Sequence, residues 1–294
     1  MVPIRHYMQQ TWLQNIKNAL LRFKAWQRTN SNTIQEIKIK YPPRNYNLVA
    51  HYPTPELGEG AAWRTGHPWG RVHRDQLWRY WPQPNSTPSP TVYPMHEGLA
   101  LELRKYPKTF RKSEQPKWQQ GGLPDEWTPT WATGLISTKK AYQYGWFEAE
   151  IKLPTQAQMW SAFWLMGLEA WPPEIDIFES FTYEDPNDIH VETNFHFGVI
   201  GDKKFPKADL GAARIPLKNP NGRWIQYACH WTENYIRIYM DGHCVQECKV
   251  PSILKQFSIP QYIILNNGCK DPKTTSTEPT EGAMLVRNVK IYQK

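Results

Sequence analysis

Three carboxylates stand close together in the stretch WPPEIDIFES, at Glu174, Asp176 and Glu179. Hydrophobic residues surround them, and an ionised carboxylate resists burial unless it is paired. Residues two apart on a strand share a face, so Glu174 and Asp176 point the same way. Strict alternation would turn Glu179 to the other face, whereas a one-residue bulge at Ile177–Phe178 returns it. The spacing therefore predicts a bulged strand with three acids on one face.

Two carboxylates that flank a glycosidic bond can hydrolyse it, one as nucleophile and the other as general acid/base. The retaining form of this chemistry needs the two groups about 5–5.5 Å apart. The Cα atoms of Glu174 and Glu179 would lie roughly 13 Å apart along the strand, so the side chains must lean inward. Asp176 between them could hydrogen-bond one carboxyl and raise the pKa of the other. The triplet alone also fits a hydrated strand face or a calcium site.

Short alternating segments must hold these acids in place. WFEAEIKL (146–153) alternates apolar and charged residues, and YIRIYMDG (235–242) does the same before an Asp-Gly turn. YIILN (262–266) and MLVRNVKIY (284–292) are further strands. Many strands and few helices predict an all-β sandwich of two sheets.

The order of several motifs resembles glycoside hydrolase family 16, which includes laminarinases, lichenases, agarases and carrageenases. The resemblance is firm from about Thr133 to Lys294. It rests on GLISTKKAYQYGWFEAEIKLP, WSAFWLMG, WPPEIDIFE, WIQYACHWTENYIRIYMDG, YIILNNG and VRNVKIYQ, in the family's order. It implies a concanavalin A-like β-jelly roll of two antiparallel sheets, whose concave sheet binds an extended polysaccharide.

The same resemblance implies roles for the acids. Glu174 would be the nucleophile, Glu179 the general acid/base and Asp176 the helper between them, with the anomeric configuration retained. No cofactor and no catalytic metal are expected. Two residues separate Asp176 from Glu179, as in laminarinases and galactanases, so a retaining endo-β-glycanase acting on β-1,3-glucan is the first expectation.

Two alternatives stay open. The first is an endo-hydrolase of a sulfated or agar-type galactan, for which Arg71, Arg74 and Arg79 are available if their loop reaches the cleft rim. The second is a non-hydrolytic carbohydrate-binding protein on the same fold. Loss of a catalytic glutamate would signal the second alternative, and both glutamates are present.

Indole faces stack on sugar rings, and a strand next to the acids can donate hydrogen bonds to sugar hydroxyls. His196 is equally compatible with a structural role. Trp164 is expected in the core, because AFWLM is continuously apolar. The candidate substrate-binding residues are Trp160, Trp171, Trp231, His196 and Asn194.

Two positions depart from the family pattern. Glu150 stands where the family often has Arg, and Arg287 stands where it often has an Asp that helps to hold structural calcium. The expected explanation is a rearranged solvent-facing pair at Glu150, and Arg287 argues against a calcium site.

The net charge of +8 is uneven, because residues 1–120 hold 18 Lys and Arg against 7 Asp and Glu. These basic residues form no nucleic-acid motif, so a polysaccharide and not a nucleic acid is the expected partner. Residues 1–35 are predicted to be an amphipathic helical extension of a jelly-roll domain over 36–294. The extension either packs on that domain or tethers the chain to a surface or assembly. No signal peptide or transmembrane segment is recognisable, although the substrate is expected to be extracellular.

Overall fold

The computed structural model describes residues 42–69, 77–81, 89–115, 117, 120–156, 158–168, 171–181, 190–198, 208–209, 211–217, 222–269 and 278–294. The chain divides into two units, Met1–Lys38 and Ile39–Lys294. The amphipathic helix and the tether predicted for residues 1–35 lie outside the described residues. The boundary between residues 35 and 36 stays a prediction.

The described residues of the second unit are mainly β-strands, which confirms the predicted all-β class. The strands predicted at 146–153, 235–242, 262–266 and 284–292 are all present. Strand bounds are β1 Asn47–Tyr52, β2 Trp63–Thr65, β3 Arg79–Tyr80, β4 Val92–Met95, β5 Gly98–Lys105, β6 Phe110–Arg111, β7 Glu126–Trp127, β8 Trp131–Thr138, β9 Gly145–Lys152, β10 Met159–Gly167, β11 Glu174–Phe181, β12 His190–Phe197, β13 Ala208–Asp209, β14 Ala213–Pro216, β15 Trp224–Trp231, β16 Ile236–Met240, β17 His243–Cys248, β18 Gln261–Cys269 and β19 Gly282–Gln293.

The strands form a two-sheet sandwich. The acid-bearing sheet runs β2–β8–β18–β10–β11–β12, and β13 and β14 flank β12. The opposing sheet runs β17–β16–β15–β9–β19, beyond which lie β1 and the β5–β4 pair. Strand β8 also pairs with β5, so it links the two sheets. These pairings are antiparallel, and β3 pairs with β8 in parallel.

The core lies between the sheets and follows from the two-residue period of each strand. Phe178 of β11 stacks on Tyr227 of β15 across the sandwich, with ring centroids 4.2 Å apart. Phe147 and Ile151 of β9 are fully buried, as their alternation with charged residues predicts. Each large side chain buried in this way stabilises the fold by about 1.5–3 kcal/mol.

Helical structure is sparse among the described residues. A short helix, α1, spans Pro251–Leu254 and continues into a 3-10 turn over Lys255–Phe257. Pro251 occupies the first turn, where its fixed φ and missing N–H cost nothing. Phe257 is fully buried against Phe195 of β12, so the turn packs on the acid-bearing sheet at β12. No described helix is long and apolar enough to cross a bilayer.

The two departures from the family pattern face each other. Glu150 of β9 pairs in register with Arg287 of β19, and Arg287 Nε donates to Glu150 Oε2 at 2.7 Å. The amide of Asn288 donates to the other oxygen at 3.1 Å. The guanidinium also lies over the ring of Trp224, 4.0 Å from its centroid. The expected rearranged pair is therefore confirmed, and both departures belong to it.

A close crossing of β8 over β5 generates a prediction about Gly134. A Cβ atom at this position would lie 2.5 Å from the Glu102 backbone nitrogen and 2.6 Å from Leu101 backbone atoms. Backbone atoms of a paired strand cannot move away without breaking the pairing, so Gly134→Ala should lower the melting temperature strongly or prevent folding. Gly121→Ala is the matched control, because Gly121 is exposed and a Cβ atom there would meet nothing within 4 Å. Equal melting temperatures for the two variants would contradict the described crossing.

Candidate active site

The predicted bulge in β11 is present. On the β10 side, Phe163 pairs with Phe178 and Trp164 pairs with Asp176, so Ile177 is the extra residue. The β12 side shows the same shift between Asp176 and Glu179. Because a bulge adds one residue, it shifts the alternation of side chains by one in the rest of the strand. Ile177 and Phe178 are both fully buried, although they are consecutive in the chain.

The bulge places all three acids on one face. Residues directly opposite each other in adjacent strands point to the same side of the sheet. The partners of the acids on each neighbouring strand alternate by two, which defines a single face, here called the acidic face. The facing pairs are Glu174–His196, Asp176–Asn194 and Glu179–Glu192 on β12, and Glu174–Met166, Asp176–Trp164 and Glu179–Ala162 on β10.

Each outer glutamate accepts a hydrogen bond from an indole. Trp171 Nε1 donates to Glu174 Oε2 at 2.7 Å, and Trp160 Nε1 donates to Glu179 Oε1 at 2.9 Å. The Trp171 side chain is 44% exposed, and Trp160 is partly exposed. Trp160 and Trp171, two of the three indoles predicted to bind substrate, therefore lie at the acidic face. They orient the two carboxyl groups by fixing one oxygen of each.

His196 lies between the two acids at the start of the strand. Its Nε2 is 3.0 Å from Asp176 Oδ2 and 3.6 Å from Glu174 Oε1. His196 and Asn194 are mostly buried, at 7% and 9% exposure. The Asn194 side-chain oxygen accepts from the Phe195 backbone N–H at 2.8 Å, so Asn194 shapes its own strand.

The same three groups could hold a cation. Ligand atoms of Glu174, Asp176 and His196 lie within 4.8 Å of one another, and the described residues contain no second group of this kind. Two carboxylates and one imidazole suit a transition metal better than calcium, which prefers oxygen ligands. Retaining hydrolysis by two carboxyl groups uses no metal.

Burial raises the pKa of Glu174 to about 8. The negative charge of Asp176 is the second cause, and that of Glu179 raises this pKa further. The nearby His196 and the Trp171 hydrogen bond act in the opposite direction and lower it. Two carboxyl groups this close resist double ionisation. Burial and the neighbouring carboxylates therefore favour the protonated form of Glu174 in the free site near neutral pH.

Comparison with known sequences identifies the family. The sequence profile of Glycosyl hydrolases family 16 matches residues 83–268, which is more than half of the chain. This chain belongs to glycoside hydrolase family 16. The resemblance drawn from the motifs is thus confirmed.

Relatives of this family 16 chain include two curated proteins and one solved structure. Endo-1,3-1,4-beta-glycanase EglC of Rhizobium meliloti (strain 1021) is 28% identical over 55% of this chain and 32% of its own length. Glucan endo-1,3-beta-glucosidase of Cryptopygus antarcticus is 27% identical over 42% of this chain and 51% of its own length. The crystal structure of SCLam, a non-specific endo-beta-1,3(4)-glucanase, superposes with a TM-score of 0.65 at 24% identity, covering 87% of this chain and 94% of that one. The chain spans about a third and about half of the two curated relatives, and the solved structure supports the jelly-roll fold.

Trp231, predicted to bind substrate, does not lie at the acidic face of this family 16 domain. It is fully buried on β15 of the opposing sheet, packed on Tyr144 and Phe147. It is separated by an even number of residues from Ile225 and Cys229 on the same strand, and these two side chains also face the core. An indole with no exposed surface cannot stack on a sugar, so this prediction is wrong.

The expectation that Trp164 lies in the core is also wrong. Trp164 faces Asp176 across β10 and β11, is only partly buried, and donates from Nε1 to Asn266 Oδ1 at 2.8 Å. Phe163 and Leu165, its immediate neighbours, fill the core instead. The signal was available, because Trp164 follows Trp160 by four residues on one strand and shares its face.

The sequence reasoning missed an aromatic group beside Trp164. His67 stacks on Trp69 with ring centroids 4.3 Å apart, and Trp69 meets Trp164 edge-on at 6.5 Å. The His67 ring also contacts Trp81 at 5.2 Å. These residues follow β2 and β3 in segments that match none of the motifs. Their proximity to the acidic face depends on pairings between distant strands, so no local pattern predicts it.

The raised pKa of Glu174 makes a prediction about stability. Below about pH 4.5 the carboxyl is protonated in both folded and unfolded chains; between there and about pH 8 only the unfolded chain ionises. Stability is therefore lost as pH rises through this window. Glu174→Gln removes the ionisable group, so the variant should gain stability over the parent as pH rises from 5 to 8, by up to a few kcal/mol, because one pKa unit is about 1.4 kcal/mol.

Denaturant unfolding at pH 4, 6 and 8 measures this difference. Glu126→Gln is the control, because Glu126 is exposed and its contact with Arg111 is long, at 3.4 Å. The control should show no gain that grows with pH. A Glu174→Gln variant whose advantage stays constant or shrinks from pH 4 to pH 8 would show that burial does not hold the proton on Glu174.

Proposed function

We propose that the chain is a retaining endo-β-glycanase that hydrolyses internal bonds of β-1,3-linked glucan. The observation that carries this proposal is the bulged strand β11, which brings Glu174 and Glu179 to one face, each with one oxygen fixed by an indole N–H. Family membership adds that this pair occurs in a glycoside hydrolase domain.

In the first step the ionised Glu174 attacks the anomeric carbon, and Glu179 gives its proton to the departing sugar oxygen. Trp171 holds Oε2 of Glu174, so Oε1 is the oxygen that forms the glycosyl ester. In the second step Glu179, now a carboxylate, takes a proton from water as the water attacks the same carbon. Glu174 is released, and two inversions restore the original anomeric configuration.

The proton on Glu174 needs an acceptor before attack. His196 Nε2 lies 3.6 Å from Glu174 Oε1 and 3.0 Å from Asp176 Oδ2. An imidazole at this place can take the proton and then stabilises both carboxylates by its positive charge. Asp176 is 2% exposed and orients the ring. His196 is thereby proposed to prepare the nucleophile, and Asn194 to support the adjacent strand.

The described surface favours an uncharged sugar chain. Trp160, Trp164 and Trp171 offer aromatic surface around the acids, where the apolar faces of pyranose rings can stack. Arg79 is 3% exposed and is not available to bind sulfate at a rim. Arg71 and Arg74 lie outside the described residues. The names of the curated relatives, a 1,3-1,4-β-glycanase and a glucan endo-1,3-β-glucosidase, agree with a glucan.

The second candidate is an endo-hydrolase of a sulfated or agar-type galactan. The excess of 18 Lys and Arg over 7 Asp and Glu in residues 1–120 favours it, because a basic surface attracts an anionic polymer. The substrate is proposed to be extracellular in either case.

A substrate panel separates these candidates. The protein is incubated with laminarin, mixed-linkage glucan, agarose, porphyran and carrageenan, and released reducing ends are measured. We expect the highest rate on laminarin, with oligosaccharide products and retained configuration by NMR. A higher rate on porphyran or carrageenan would replace the glucan proposal by the galactan one. No release from any of them would favour a binding protein.

Variants of the two glutamates test their separate roles. Glu174→Gln and Glu179→Gln should each lose at least about 10²-fold in kcat on laminarin while they still fold and bind oligosaccharide. On an aryl glycoside with a dinitrophenol leaving group, Glu179→Gln should keep most of its kcat/KM, because this group departs without a proton. Glu126→Gln is the exposed control. Hydrolysis of laminarin at near-parent rates by either variant would refute the assignment.

Residues 1–35 are proposed to be a basic tether to a surface or an assembly. The proposal rests on the absence of acidic residues before Glu36 and on the helical spacing of Trp12, Ile16 and Leu20. Deleting these residues should leave kcat on soluble laminarin unchanged and reduce retention on anionic vesicles. Equal retention of both forms on vesicles would refute the proposed tether to a membrane surface.

A further inference from the structure

Arg79 lies buried among three tryptophan rings next to the acidic face. It belongs to β3 and is 3% exposed. Its guanidinium carbon lies 4.7 Å from the Trp78 ring centroid, 4.9 Å from that of Trp81 and 4.9 Å from that of Trp160. Its Nη1 also donates to the backbone carbonyl of Cys269. A planar cation held in this way has little rotational freedom and orients the rings that it contacts.

A glycine makes room for this arrangement. Gly268 of β18 pairs in register with Trp160 of β10. A Cβ atom at position 268 would lie 3.0 Å from Arg79 Nη1 and 3.3 Å from the Trp81 ring. Both distances are shorter than ordinary van der Waals contact, so a side chain here would displace the guanidinium. The backbone opposite Trp160 therefore provides the space that Arg79 occupies.

Trp160 connects Arg79 to the acid/base residue. One side of this indole meets the guanidinium, and its Nε1 donates to Glu179 Oε1 at 2.9 Å. In a neutral carboxyl group the oxygen that accepts an N–H is the carbonyl oxygen. The proton then resides on Oε2, which is the oxygen that would protonate the departing sugar. A rotation of the indole would release Oε1 and let the carboxyl group turn.

We propose that Arg79 is a positioning residue for acid catalysis: by stacking on Trp160 it holds the indole N–H on Glu179 Oε1 and so presents Oε2 as the proton donor. This inference rests on the proposed role of Glu179. It assigns no substrate contact to Arg79, whose side chain is buried. It also explains why an arginine is buried beside a glycan-binding face without serving as an anion site.

The test compares two substrates that differ in their need for acid catalysis. Laminarin has a sugar leaving group that requires protonation, whereas a 2,4-dinitrophenyl β-laminaribioside releases a phenolate that does not. We expect Arg79→Met to lose about tenfold in kcat/KM on laminarin, a part of the roughly 10²–10⁴-fold that a positioned acid contributes, and less than about twofold on the aryl glycoside. A merely structural loss would lower both values equally.

A double-mutant cycle tests the route through Trp160. Trp160→Phe keeps a ring under the guanidinium but removes the N–H, so its loss in kcat/KM on laminarin should exceed its loss on the aryl glycoside. If Arg79 acts through this N–H, Arg79→Met should add less than about twofold on laminarin in the Trp160→Phe background. Arg287→Met is the matched control, because Arg287 also lies over an indole, that of Trp224, on the opposing sheet. Its ratio of the two kcat/KM values should equal that of the parent.

Each result decides the matter. Equal losses on both substrates, no loss on laminarin, or fully multiplicative losses in the cycle would overturn the role of Arg79. If Arg79→Met does not fold, Arg79→Lys is used instead, because it keeps the positive charge but lacks the planar guanidinium group. It should show a smaller loss in kcat/KM with the same substrate dependence. A parent protein that hydrolyses neither substrate would refute the proposed function itself. If the parent protein hydrolyses both substrates and Arg79→Met has the same kcat/KM values as the parent, the positioning role alone would be refuted.

Discussion

One extra residue in β11 is the feature on which the site depends. Without the bulge at Ile177–Phe178, the parity of the strand would send Glu179 into the sandwich and Phe178 out of it. With the bulge, Phe178 stacks on Tyr227 in the core and Glu179 lies on the acidic face. The core thus enforces the geometry of the acids, since reversing the bulge would bury a carboxyl group and expose a large aromatic side chain.

The surroundings of the two outer acids differ, and this difference supports the separate roles proposed for them. Glu174 is partly buried beside Asp176, and both its burial and the charge of Asp176 raise its pKa. His196 lies near both carboxyl groups and lowers the pKa of Glu174. Glu179 is separated from His196 along the strand and meets Trp160 instead. Two residues of one type can take opposite roles when their neighbours differ in this way. The indole N–H groups fix one oxygen of each, so orientation is provided before any sugar arrives.

Much of this arrangement could be predicted from local periodicity. Counting by twos along 174–179 predicted the bulge, and the alternation in 146–153 predicted the core face of β9. The same counting, applied to Trp164 and Trp231, would have placed the first at the acidic face and the second in the core. Reading an apolar run as buried led to the wrong choice for Trp164. Proximity to a motif led to the wrong choice for Trp231.

Other features depend on long-range pairing and have no local signal. Arg79 reaches Trp160 only because β3 joins β8, β8 joins β18, and β18 lies beside β10. The Glu150–Arg287 pair likewise spans 137 positions, although each departure was visible alone. Two charges that depart from the family pattern on different strands can therefore be partners of each other. The sequence identifies the residue, and the sheet order identifies the partner.

The most direct measurement is to trap the covalent intermediate. A 2-deoxy-2-fluoro-β-laminaribioside with a dinitrophenol leaving group should form a glycosyl ester faster than the ester hydrolyses. Mass spectrometry of a digest should then find the sugar on Glu174 of the parent protein. An adduct on Glu179 or on another residue, or turnover that never yields an adduct, would contradict the account of how this face of the sheet works.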